Sequence, residues 1–129
     1  MTYVVDSDWV ADWLAGRPQA TRLLTDLSTD GIAISLVTYG EIYEGIYYGH
    51  GPIRAAQVFR QFLRDVPVIP LHRAILQRFA RIRGDLRRRG LIIGDPDILI
   101  AATTIHYGHT LVTRNRRHSE RLDSPHLRR

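Results

Sequence analysis

The chain opens on an apolar run, "TYVV", that stops at Asp6, and the apolar positions that follow change period: Trp9 and Trp13, then Val10 and Leu14, stand four apart before Gly16. A short apolar run bounded by polar residues reads as a buried strand, and i, i+4 spacing reads as an amphipathic helix. The same change of period recurs down the chain. "PQATRLLTDLSTDG" predicts a second helix closed by Gly31, "IAIS" a strand, and "LVTYGEIYEGIYYG" a helix with Val37, Glu41 and Glu44 spaced by four and three, Glu44 on the surface. "AAQVFRQFLRD" predicts a helix and "VPVIPL" a strand. His72 to Arg89 predicts a helix with Ile75, Phe79, Ile82 and Leu86 on one stripe and seven arginines mostly elsewhere, ended by Gly90. "DPDILIAATTIHYG" is apolar almost all round, which predicts a central buried helix, and "TLVT" is a last strand. From about residue 116 to 129 the chain is polar and basic and is expected to be poorly ordered.

Strands alternating with helices argue an α/β domain whose parallel sheet is covered on both faces, because parallel strands need crossover connections. In such folds ligands bind at the carboxyl ends of the strands. The polar residues expected there are Asp6, then Ser35, Thr38 and Glu41, then Asp95 and Asp97 at the start of the buried helix, and Thr113 with Asn115 after the last strand.

Composition narrows the chemistry. A chain of 129 residues with 44% hydrophobic content supports one domain, 1–129. No apolar run approaches the roughly 18 residues of a membrane span, and no basic stretch precedes an apolar one at the N-terminus, so the expected location is the cytoplasm. Zero cysteines exclude disulfides, thiolate catalysis and Cys-type zinc sites, so a metal would be held by oxygen or histidine ligands, and oxygen favours Mg²⁺ or Mn²⁺. All 18 basic residues are arginine. Residues 1–50 carry two of them against seven acids, a net of −5, and residues 51–129 carry 16 against six, a net of +10. A basic half beside an acidic cluster suits a polyanion that also needs cations, such as nucleic acid, and is equally the composition of a solvated arginine-rich surface.

Each acid has a plain structural reading beside the functional one. Asp95 before Pro96 has the pattern of an N-cap with Pro at N1, Asp97 complements the helix dipole, Asp6 can cap the first helix, and Glu41 can be a solvated helix residue. Jointly these weaken, because clustered carboxylates raise each other's pKa unless a cation sits between them. "VVDSD" also fits a haloacid-dehalogenase-like phosphatase with Asp6 as nucleophile and Asp8 as acid. The absence of lysine and the short chain count against that reading, and against a response-regulator receiver.

The order "VVDSDWV", then "SLVTYGEIYEG", then "GDPDILIAATTIHYGHTLVTRN" resembles the PIN domain, specifically the VapC-type ribonuclease toxins of bacterial toxin–antitoxin pairs, over nearly the whole chain. The resemblance implies a three-layer α/β/α fold and a metal-dependent endoribonuclease. Its acids fall on Asp6, Glu41 and Asp97, which would hold Mg²⁺ or Mn²⁺, with Asp95 a further candidate ligand. Ser7 and Thr113 are candidates to orient the carboxylates, and Arg114, Arg116 and Arg117 to hold the RNA backbone. Many relatives have Asp after "TR" where this chain has Asn115, with His118 close behind; an amide accepts through its carbonyl but brings no charge, which leaves one or two metals open and admits a non-catalytic RNA- or protein-binding module as an alternative. The resemblance also implies a homodimer and a small VapB-like antitoxin. Trp9, Trp13, Tyr43, Ile46, Tyr47 and Tyr48 crowd two helices, and some of them are expected to face outward.

Overall fold

Val4 and Val5 are neighbours in sequence and therefore point to opposite faces of a strand, yet in the computed structural model both are fully buried. The reason is the place of β1 (Tyr3–Val5) at the centre of a parallel sheet with helices on both sides. The structure describes residues 1–114 and 127–128. Its strands are β1, β2 (Ile32–Ser35), β3 (Val68–Ile69), β4 (Thr110–Val112) and β5 (Leu127–Arg128), in the order β3-β2-β1-β4-β5 and all parallel. β1 registers Tyr3 against Ile32 on one side and against Thr110 on the other.

The crossovers are helical pairs: α1 (Ser7–Leu14) with α2 (Pro18–Ser28), α3 (Leu36–Tyr48) with α4 (Pro52–Asp65), and α5 (Arg73–Arg88) with α6 (Asp95–His106). Val5 and Ile34 join Val10, Leu24, Ile42, Ile46, Phe59 and Phe62 in a core between the sheet and α1 to α4. Val4 and Leu111 face the other way onto Ile100 of α6, and Leu86, Ile93 and Ile98 close α5 against α6. The result is the three-layer α/β/α fold expected. α6 is the most enclosed helix, with Ile98 through Thr104 buried except Leu99. Its two buried threonines survive there because Thr103 and Thr104 donate to the carbonyls of Leu99 and Ile100, each at 2.8 Å.

The chain lays down β1, β2 and β3 outward in one direction, then returns to place β4 on the other side of β1. Strand order therefore reverses between β1 and β4, and the crevice at their carboxyl ends is where this architecture binds ligands. Asp6 and Thr113 are the residues that leave those two strands.

Three details differ from expectation. α6 begins one residue earlier than an Asp95 cap allows: Gly94 is the N-cap, no side chain caps the helix, and Asp95 turns outward to Arg83, Nε to Oδ1 2.9 Å. α4 begins at Pro52, a preformed first-turn residue, and not at Ala55. β5 was not anticipated, since "LR" carries no apolar run and pairs only because the edge of β4 is there to accept it, Leu111 against Leu127. Residues 115–126 and 129, including Asn115, Arg116, Arg117 and His118 and the expected poor order of this segment, lie outside the described residues. Among the described residues no helix is long and apolar enough to cross a membrane.

Candidate active site

Asp6 is 9% exposed, and a buried carboxylate is costly unless hydrogen bonds replace its water. Both of its oxygens are served. Oδ1 accepts from the Ser7 backbone N–H at 2.7 Å, which makes Asp6 the N-cap of α1, and Oδ2 accepts from the Thr113 hydroxyl at 2.6 Å. The capping and functional readings of Asp6 are thus compatible: the cap fixes the carboxylate at the helix N-terminus. Burial pushes its pKa up, the Thr113 and Ser7 hydrogen bonds pull it down, and the charges of Asp8 and Asp97 push it up again.

Glu41 comes to the same rim from α3, nearly two turns after the strand end at Ser35. Ser35 caps that helix by accepting from the Thr38 N–H at 3.1 Å. The Ser7 hydroxyl donates to Glu41 Oε1 at 2.6 Å and lies 3.3 Å from the Thr38 hydroxyl. Burial raises the pKa of Glu41, the Ser7 bond opposes it, and Asp6, Asp97 and Asp8 raise it further. A chain of short contacts therefore runs Thr113, Asp6, Ser7, Glu41, across residues that lie up to 107 positions apart in sequence.

Asp97 acts by charge on both carboxyls from the first turn of α6. Its neighbour Asp95 is exposed and paired with Arg83, so the structure separates the two acids of "GDPD". Asp8, which the sequence offered only as a phosphatase acid, faces the site and acts on both Asp6 and Glu41. Arg114 forms an ion pair with Asp12 and lies over the Trp9 ring, 3.9 Å from its centroid. Neither contact carried a sequence signal, because Trp9 and Asp12 meet Arg114 only through the β1–β4 pairing.

Beside the acids a groove of about 780 Å³ runs between α1, α3 and α4. Ser7, Asp8 and Glu41 line one end, Ala11, Ile42, Ile46 and Val58 its walls, and His50 and Arg54 the far end. The expected aromatic patch divides. Trp9, Trp13 and Tyr43 pack on the core, Trp13 against Phe62 at 4.9 Å, and Ile46 is buried, whereas Tyr47 and Tyr48 are 73% and 94% exposed.

The family model for the PIN domain matches residues 3–123. The chain belongs to the PIN-domain family. Ribonuclease VapC1 of Methanocaldococcus jannaschii is 34% identical to this PIN domain over 92 residues, 71% of this chain and 65% of that one, so the match spans just under two thirds of that relative. Ribonuclease VapC2 of Haemophilus influenzae is 27% identical over 122 residues, 95% of this chain and 92% of that one. Among solved structures, VapBC2 of Rickettsia felis bound to a DNA fragment from its promoter superposes with a TM-score of 0.88 at 25% identity, over 99% of this chain and 96% of that one. Membership in the PIN family removes the phosphatase and receiver readings of "VVDSD".

The donor set of this PIN domain fits a hard divalent cation. Asp6, Glu41 and Asp97 offer only carboxylate oxygens, and the charges that raise Asp6 and Glu41 are all negative, which is the repulsion a cation relieves. Among the described residues no three Asp, Glu or His side chains are already gathered into a ligand cluster, and Asp6 and Glu41 are held by Ser7 and Thr113.

Proposed function

We propose that this PIN domain is a Mg²⁺- or Mn²⁺-dependent endoribonuclease, the toxin of a toxin–antitoxin pair, with Asp6, Glu41 and Asp97 as the metal-holding acids. The observation that carries the reading is the hydrogen-bonded pair of carboxylates at the strand-order reversal, Asp6 and Glu41 joined through Ser7, with Asp97 acting on both. The names of the VapC relatives and the VapBC neighbour support it.

The chain's own part in the reaction follows from those contacts. Thr113 and the Ser7 N–H favour the charged form of Asp6 and offset part of the cost of burial, and the Ser7 hydroxyl fixes the orientation of Glu41. A bound divalent ion would supply a water of lowered pKa and positive charge beside the phosphodiester. Exposed arginines on α5, among them Arg73, Arg81, Arg87 and Arg88, offer positive charge for an RNA backbone, as do Arg116 and Arg117. Asp95, held by Arg83, is the weakest of the proposed ligands, and Asn115 and His118 remain candidates beside the substrate.

The groove beside the acids is the place for an antitoxin segment, apolar along its length and basic where it meets Asp8 and Glu41. Exposed Tyr47, Tyr48 and Ile53 are available for a homodimer contact.

Purified protein incubated with cellular RNA should cleave it with Mg²⁺ or Mn²⁺, stop in EDTA and recover on adding Mn²⁺. Asp6→Asn, Glu41→Gln and Asp97→Asn should each abolish cleavage and growth arrest while remaining folded. RNA binding with no cleavage in any metal would show a non-catalytic module instead.

A further inference from the structure

Arg114 follows Thr113 directly, and Thr113 carries the hydroxyl on Asp6 Oδ2. An arginine at this rim is expected to reach for phosphate, but its guanidinium is engaged elsewhere. It lies 3.9 Å from the centroid of Trp9, and its NH1 pairs with Asp12 Oδ2, while Arg17 Nε meets the other oxygen of Asp12 at 3.3 Å. Trp9 and Asp12 stand three apart on α1 and so share a face of it. Trp9 is itself anchored: its ring packs on Leu27, Val112 and the main core, and its Nε1 is buried with no hydrogen-bond partner among the described residues, so the face of the ring is what it offers. A cation over an indole face, with its fork on a carboxylate, is held by two directional contacts at once.

The segment leaving β4 is thus tied to α1 at two points. Thr113 bonds Asp6, the cap of that helix, and Arg114 grips Trp9 and Asp12 one and two turns further on. We propose that Trp9, Asp12 and Arg114 form a clamp that positions the Thr113 hydroxyl on Asp6, so that Arg114 is a positioning residue of the site and not a phosphate contact. The proposal rests on the proposed function for its kinetic and Mn²⁺-binding tests; the emission of Trp9 reads the clamp independently of both.

The two roles predict opposite results. In a Trp13→Phe background, where Trp9 is the only tryptophan, Arg114→Met and Asp12→Asn should each shift Trp9 emission and weaken Mn²⁺ binding about tenfold, the lower end for groups that orient metal-holding side chains. Both residues are partly exposed, 37% and 20% at the side chain, so both variants should keep the wild-type circular dichroism spectrum. In cleavage assays each should lower kcat about tenfold with KM and the salt dependence of RNA affinity unchanged, and the double variant should be no worse than either single one. A phosphate-binding Arg114 predicts instead that Arg114→Met raises KM and reduces the salt slope by about 1, and that Asp12→Asn, by releasing the arginine, tightens RNA binding. That pattern, or Trp9 emission and Mn²⁺ affinity unchanged in both variants, overturns the clamp. If the wild-type protein cleaves no RNA and binds no Mn²⁺, the nuclease reading fails, and the Trp9 emission decides the clamp: a shift in both variants supports it and an unchanged spectrum overturns it.

Discussion

Thr113→Val tests the site at a buried hydrogen bond to its central carboxylate. The residue is 2% exposed, and valine keeps its shape while removing the hydroxyl that donates to Asp6 Oδ2 at 2.6 Å. A hydrogen bond to a charged group contributes about 1.5–3 kcal/mol, and here its loss leaves a buried carboxylate oxygen short of a donor. At roughly 2.1 cal/mol/K per residue of unfolding entropy, 1 kcal/mol in a domain this size moves Tm by about 4 °C, so the variant should melt about 6–11 °C lower near neutral pH in EDTA. The loss should shrink in acid, where Asp6 is protonated and no charge is left to stabilise. Thr113→Ser retains the donor and should lose far less stability. Mn²⁺ affinity and cleavage should fall about 10- to 100-fold in Thr113→Val alone. Equal stability and metal affinity of the Val and Ser variants at neutral pH would refute the role given to this hydroxyl.

Other perturbations bear on the same geometry. Burial is the first cause that raises Asp6 and Glu41 above their ordinary values of 3.8 and 4.5, so from those values upward the folded protein holds protons the unfolded chain has released. Their contribution to stability in EDTA must therefore fall as pH rises through that window. The wild type should lose stability relative to Asp6→Asn as pH climbs from about 4, and Mn²⁺ should reverse the loss by favouring the ionised forms; a difference that grows in favour of the wild type without metal would contradict the burial argument. Asp95→Asn should leave Mn²⁺ binding within about twofold, because the side chain is exposed and faces Arg83, where the pair contributes at most about 1 kcal/mol; a loss matching that of Asp97→Asn would place Asp95 in the site. Gly45 lines the groove, and a Cβ built there meets nothing within 4 Å, so Gly45→Leu should fill the groove and raise helix stability by up to about 1 kcal/mol. Cleavage should persist in that variant while co-expressed antitoxin no longer restores growth; full rescue would place the antitoxin elsewhere. Trp13→Ala should also destabilise the fold, by about 3 kcal/mol, because the partly buried Trp13 packs its ring on Phe62 of the core.

The helices, four of the strands and the acidic rim were legible in the sequence because they depend on local periodicity. Apolar runs of β1, β2 and β4 mark strands buried on both faces, i, i+4 spacing marks the helices, and a parallel sheet sends the residue after each strand to one edge. That rule put Asp6, Ser35, Thr38, Glu41 and Thr113 at the rim, and the resemblance to the PIN domain singled out Asp6, Glu41 and Asp97 among the acids. What only tertiary structure decided is which partner each polar group takes. Asp95 and Asp97 differ by two positions, yet a helix turns about 100° per residue, so one faces Arg83 of α5 and the other acts on the rim. Arg114 was read as a phosphate ligand from its nearness in sequence to Thr113, and it goes to Trp9 and Asp12 because β4 pairs beside β1 and brings α1 under its exit. Of the aromatic crowd, Tyr47 and Tyr48 alone face outward, since Tyr43 and Ile46 are taken by the packing of α3 on α4. Periodicity says which residues leave water, but the partner of a charge depends on contacts between segments up to a hundred residues apart, and those exist only once the sheet has ordered its strands.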